Sequence, residues 1–228
     1  MAWLVPFLAG VIGALFAAKV WGQWSVRRRP HQLAWALGLT MYALATLVDA
    51  YVAVAGWNVP VYRAFFALAA GNVGFLGLGT ILLSRAGVWT RVFAAFVVGG
   101  FALAALGQLA VPLDASMPVT IEGETRPLSA WGSDLGAKPI PFPNPGRIAF
   151  LALNIVGGLA LIGGALLSWW QTRRVGVLLI GVGAMFPFLG GTLSTMLDVD
   201  VRPLMQFLGI AVMFLGYLRS RETPAAAR

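Results

Sequence analysis

The feature that most constrains this chain is a rhythm of long apolar runs broken by short arginine clusters. A helix that crosses a bilayer needs roughly 20 predominantly apolar residues. Seven stretches meet that requirement, at about 3–24, 33–56, 60–83, 89–111, 148–170, 175–197 and 203–218. With 59% apolar and 11% charged residues, too little polar surface is left to clothe seven such runs in water. The expected fold class is all-α: a polytopic membrane protein with seven transmembrane helices in a single domain, and the lipid bilayer as its first partner.

Charge orients the spans. Arg27, Arg28, Arg29, Arg85, Arg91, Arg173 and Arg174 follow spans one, three and five, Arg219, Arg221 and Arg228 follow span seven, and Lys19 lies in the same half of span one. That side holds eleven of the sixteen basic residues and one acid, Glu222. By the positive-inside rule the N-terminus is outside and the C-terminus cytoplasmic. The expected location is a prokaryotic plasma membrane. The stretch MAWLVPFLAG lacks the basic leader of a secretory signal, so it reads as the start of span one.

The one long connection, 112–147, falls outside. Its proline and glycine content disfavours a long regular element, but VTIEGETR has the pattern of a small hairpin turning at Glu122 and Gly123. Trp131, Ile140 and Phe142 are apolar enough to pack part of this loop down as a cover over the bundle.

Spans one and five begin FLAG and FLAL and end in WSVRRR and WWQTRR, while spans three and seven share FLG. Both triplets run in the same direction, because helix 4 between them restores the orientation. Two parallel three-helix repeats flanking helix 4 are expected. This layout and the chain length resemble the SWEET sugar transporters, whose parallel three-helix repeats flank a substrate site. The resemblance implies architecture only. The proline positions of that family are missing, since Pro187 is the sole proline well inside a span, and no site residue carries over. Light receptors share seven spans, but PLMQFLGIAVMFLGYL in span seven has no lysine for a Schiff base.

Several chemistries are disfavoured by residue type. There is no cysteine for thiolate ligands or thiol chemistry, and the single His31 cannot by itself build a haem or zinc site, so no cofactor or metal is expected. The basic residues are divided among membrane-flanking clusters, which suits topology and not nucleic acid. A hydrolase needs a paired acid, a Ser/His arrangement or a metal cluster, so the enzyme reading is disfavoured and no catalytic residue is assigned.

One carboxylate stands out. Asp49, in ALATLVDAYVAV, lies roughly 10 Å inward from the outer end of span two. It shares a helical stripe with Gly38, Tyr42, Ala45, Thr46, Ala53 and Gly56, the small and polar face that turns toward other helices. Intramembrane ionisable groups tend to be functional. Arg63 is the nearest cation in sequence, but helical side chains lean toward their own N-termini, so Asp49 leans inward and Arg63 outward. Asn72 and Asn154 are deeper amides, and Gln206 lies toward the outer end of span seven, whereas the inner half is nearly free of strongly polar groups. Asp49, Tyr42, Thr46, Asn72, Asn154 and Gln206 therefore form the candidate ligand-binding or coupling set. Pro187, Gly190 and Gly191 form a candidate hinge.

The expected function is that of a small transporter-like protein, binding a small solute in an outward-facing polar chamber around Asp49. The alternative is a receptor or partner subunit of a membrane complex, without catalytic activity, that binds a ligand, lipid or protein from outside.

Overall fold

The computed structural model describes residues 2–84, 87–109, 114, 116, 118–121, 124–130, 145–197 and 199–222. Trp131, Ile140 and Phe142 and the hairpin tip Glu122 and Gly123 lie outside the described residues. In chain order the elements are α1 (Leu4–Arg27), α2 (Pro30–Ala55), α3 (Val59–Ser84), α4 (Val88–Leu109), β1 (Pro118–Ile121), β2 (Glu124–Pro127), a 3-10 turn (Leu128–Ala130), α5 (Pro145–Thr172), α6 (Val175–Leu197) and α7 (Arg202–Glu222). Among the described residues, six of the seven α-helices are long and apolar enough to cross a membrane, and α6 is apolar over Val175–Gly190. The chain is thus an all-α polytopic membrane protein. Helices α1, α5 and α7 run a little past the expected spans, because the apolar limit is not the helical limit, and in α1 and α7 the added residues include arginine, a good helix former.

The helices turn at two matching corners. Helix α1 ends where Arg28 takes a left-handed conformation (φ 49°) and its N–H bonds to the Trp24 carbonyl at 2.8 Å. Helix α5 ends where Arg173 does the same (φ 54°), bonded to the Trp169 carbonyl at 2.6 Å. Each guanidinium lies over a tryptophan: Arg28 over Trp24, and Arg173 over Trp169 and Trp170. The next residue, Arg29 or Arg174, offers its carbonyl to the first free N–H groups of α2 or α6. A two-residue corner forces antiparallel neighbours, so α1 pairs with α2 and α5 with α6.

From there the neighbours close a ring in the order α1, α2, α3, α5, α6, α7 and back to α1, with α4 outside it against α3 and α5. Glycine makes two seams of this ring. A Cβ at Gly77 would collide with the Gly157 backbone, which brings α3 and α5 into main-chain contact. Gly183 and Gly209, and again Gly176 and Gly216, do the same for α6 and α7. In lipid, where apolar surface has no preference for protein, such close approach supplies the packing energy.

Two apolar clusters fill the molecule. One occupies the side of α3, α4 and α5 and includes Trp57, Tyr62, Phe66, Phe150 and Leu153. The expected hairpin joins it: β1 and β2 pair antiparallel with Ile121 opposite Glu124, and Val119 and Leu128 are buried. The neighbouring Ser129 carbonyl lies 3.0 Å from where a Cβ of Gly56 (φ 74°) would stand, so only glycine fits that turn between α2 and α3. The second cluster lies on the ring axis and draws Phe16, Val20, Leu39, Ile210 and Tyr217 together.

Candidate functional site

Helix α2 presents its polar stripe to α1 and α7. Glycines on α1 make room for it: a Cβ on Gly13 would lie 3.0 Å from the Tyr42 ring, and one on Gly10 would lie 3.1 Å from the Thr46 hydroxyl. Thr46 is 2% exposed, and its hydroxyl is shared between the Tyr42 and Ala43 carbonyls, both at 3.0 Å. Tyr42 reaches across to α7 and donates to the Gln206 carbonyl at 2.8 Å. Gln206 is therefore engaged through its backbone, a contact that side-chain reasoning does not foresee.

Asp49, two turns further toward the loop end, is half-buried. Among the described residues none is hydrogen-bonded to its carboxylate. The charges that act on it are Arg202, attracting, and Asp200, repelling, with Tyr42 within the same field. This replaces Arg63 as the cation that matters to Asp49. Arg202 is already engaged with Asp200: Nε and Nη2 donate to the two carboxylate oxygens at 2.7 and 2.9 Å, while the Arg202 backbone N–H bonds to Asp200 Oδ1 at 3.1 Å. One guanidinium thus acts on two carboxylates, Asp200 bonded to it and Asp49 across on α2. Sequence reading missed this because Arg202 lies far from Asp49 along the chain and meets it only once the ring closes.

The two amides behave differently from one another. Asn154 donates from Nδ2 to the Phe150 carbonyl of its own helix at 2.9 Å. Asn72 lies at the tight α2/α3 contact, where its carbonyl would be 2.8 Å from a Cβ on Gly38, and its Oδ1 is buried without a partner. Asn72 lies one turn before Leu76, which lines the ring axis.

On that axis, toward the Arg-rich end, the structure holds a cavity of about 20 Å³, room for about one water by volume but with no polar lining. Every ring helix contributes a wall: Phe16, Trp35, Leu76, Leu161, Ile180 and Tyr217. Phe16 and Leu161 stand equally far before their corners, and Trp35 and Ile180 equally far after them. The cavity is therefore centred between the two halves. Beyond Trp35, on the same face of α2, lies Gln32, 4% exposed, with its Oε1 buried and unpartnered. Placing span two at residue 33 hid this residue, although its Gln32, Trp35, Leu39 spacing is helical and continues the axis face.

The hinge residues lie at the α6/α7 seam. Helix α6 continues through Pro187, whose Cδ would be 3.0 Å from a Cβ on Gly209, and Gly190 packs against Met205 and the Arg202 backbone. Gly191 is helical, but its surroundings, like the side chains of Thr192 and Thr195, lie outside the described residues.

No family model, curated protein or solved structure matches the chain.

Proposed function

We propose that this protein is a small transporter-like membrane protein that binds a small solute in an outward-facing polar chamber around Asp49, in a plasma membrane. One observation carries the reading: a carboxylate inside the ring lacks a hydrogen-bond partner among the described residues, and its facing cation is already paired with Asp200. A charge at the centre of a crossing helix costs about 2.5–3.5 kcal/mol, and Asp49, nearer the helix end, bears part of that cost. Asp49 is the binding or coupling group, Tyr42 fixes α2 against α7, and Arg202 and Asp200 line the approach. Flux of labelled solutes through proteoliposomes tests this, with Asp49→Asn expected to remove the solute-specific component. Unchanged flux in that variant sinks the mechanism.

The apolar wall of the axial cavity favours one second reading, in which a ligand bound at the loop end is sensed through helix movement by a partner subunit. Purification in mild detergent that brings down a stoichiometric membrane protein supports this reading over autonomous transport.

A further inference from the structure

The two arginine corners carry charge that no acid in their neighbourhood answers. Where a helix leaves in the left-handed conformation glycine is the usual residue, yet arginine fills that position twice, at Arg28 (φ 49°) and Arg173 (φ 54°). Both are held against indole: Arg28 lies 4.4 Å from the Trp24 ring centre, and Arg173 lies 4.9 Å from that of Trp170 and 5.4 Å from that of Trp169. Arg29 and Arg174 follow directly, and both are exposed, as is Arg27.

A ring attracts a guanidinium without supplying an oxygen to its N–H groups. Among the described residues the side chains of these five arginines donate to no oxygen and pair with no carboxylate. Arg126 and Arg202, at the opposite end, are paired with Glu124 and Asp200. Neither α2 nor α6 has an acid in its first turn, and Glu222 is the one acid that the sequence places at the arginine end. Each corner therefore presents adjacent guanidiniums, one of them braced by a ring, whose donors are unused within the described residues.

The tryptophans set the depth. Indoles favour the boundary between hydrocarbon and water, so Trp24, Trp169 and Trp170 put both corners at headgroup level. Beside them exposed apolar side chains, Val26 on α1 and Leu167 on α5, border the space where acyl chains run. Guanidinium forks match the paired oxygens of a phosphate. A soluble phosphate would meet only the arginines, whereas a phospholipid meets the arginines and the apolar border together.

We propose that the two corners are matched sites for an anionic phospholipid, each holding one headgroup phosphate, at Arg28 with Arg29 and at Arg173 with Arg174. The preferred headgroup carries no ammonium, which the adjacent guanidiniums would repel. Such sites stand whether or not the ring carries a solute.

Native mass spectrometry counts the lipids held when the purified protein is titrated in detergent, in parallel, with dioleoyl phosphatidylglycerol and dioleoyl phosphatidylcholine. Two phosphatidylglycerols per chain are expected, each held about tenfold more tightly than phosphatidylcholine. Arg28→Gln with Arg29→Gln should release one, and Arg173→Gln with Arg174→Gln the other. Affinity at the altered corner should fall about thirtyfold, at ~1 kcal/mol per arginine. Arg91→Gln, exposed on α4 at the same end, is expected to leave both lipids in place. Equal retention of the two lipids overturns the proposal in the unmodified protein, without relying on any variant to fold. A loss in Arg91→Gln as large as in the corner variants also overturns it, by reducing the preference to the overall charge of that end. So does full retention in corner variants whose helical circular dichroism is intact. Displacement of the bound lipid by millimolar inorganic phosphate would make the free ion the ligand and overturn the lipid assignment.

Discussion

Helices α1 to α3 and α5 to α7 share a scaffold but not a chemistry. Their corners match in geometry, from the tryptophan whose carbonyl accepts the last helical N–H to the arginine whose carbonyl starts the next helix, although the three residues after that tryptophan differ. Gly38 and Gly183 also play one part: a Cβ on either would press on a carbonyl and on the backbone N–H one turn later in the next helix, at Asn72 and Leu76 or at Gly209 and Met213. Counted from the corners, however, Asp49 corresponds to Ser194 and Tyr42 to Pro187. Ser194 is locally satisfied, donating to the Gly190 carbonyl at 2.8 Å and accepting from the Val201 N–H at 3.1 Å. Among the described residues Asp49 has no such closure. The pair teaches that packing was kept in both halves while the unmet charge was placed in one.

The largest effect should therefore come from exchanging chemistry. Asp49→Asn is expected to lower solute flux by tenfold or more, whereas Ser194→Ala should leave flux within about twofold and cost about 1 kcal/mol of stability through the unpaired Val201 N–H. Side-by-side proteoliposome assays and thermal melts check both. Loss of flux in Ser194→Ala alone would move the functional half to α5–α7.

Next in size is the shared scaffold. At Gly38 the nearest backbone atoms to a new Cβ stand at 2.8 and 3.0 Å, and at Gly183 they stand at 2.7 Å. Backbone cannot rotate away, so Gly38→Ala and Gly183→Ala should each destabilise by about 2–3 kcal/mol. Gly22→Ala, with nothing within 4 Å, should be neutral or stabilising by up to about 1 kcal/mol. A large gap between the first two melting shifts would break the equivalence of the halves.

Much of this arrangement is legible in the sequence because lipid leaves few choices. Apolar length and the arginine clusters define the helices, WSVRRR and WWQTRR mark the paired corners, and Gly123 signals the hairpin. The ring order is not legible. Spacing along one helix says which face Asp49 occupies, but not that α7 closes against α1 and brings Arg202 beside it. Gln32 was obscured for a related reason: a polar residue two positions from a proline corner reads as solvated, and its burial depends on which helices converge there.

A smaller effect is expected where Tyr42 bridges the halves. Tyr42→Phe keeps the ring against Gly13 and deletes only the 2.8 Å bond to the Gln206 carbonyl. The cost should be about 0.5–1.5 kcal/mol, visible as a lower melting temperature. If flux falls while stability is unchanged, the hydroxyl serves the solute as well as the seam.

The smallest effect should come from the corners, where two opposed terms nearly cancel. Arg28→Gly and Arg173→Gly would each relieve a left-handed conformation that costs an L-residue about 1–2 kcal/mol. Each would also lose a guanidinium–tryptophan contact of about 0.5–1 kcal/mol and add the chain entropy of glycine, about 0.5–1 kcal/mol. The net change should lie within about 0.5 kcal/mol of zero in both variants. What decides the matter is agreement in sign and not size. The corners have the same backbone bonds, but Arg28 lies over one tryptophan and Arg173 over two, so a stabilising change at Arg28 and a destabilising change at Arg173 would show that the likeness of the two halves stops at their backbone.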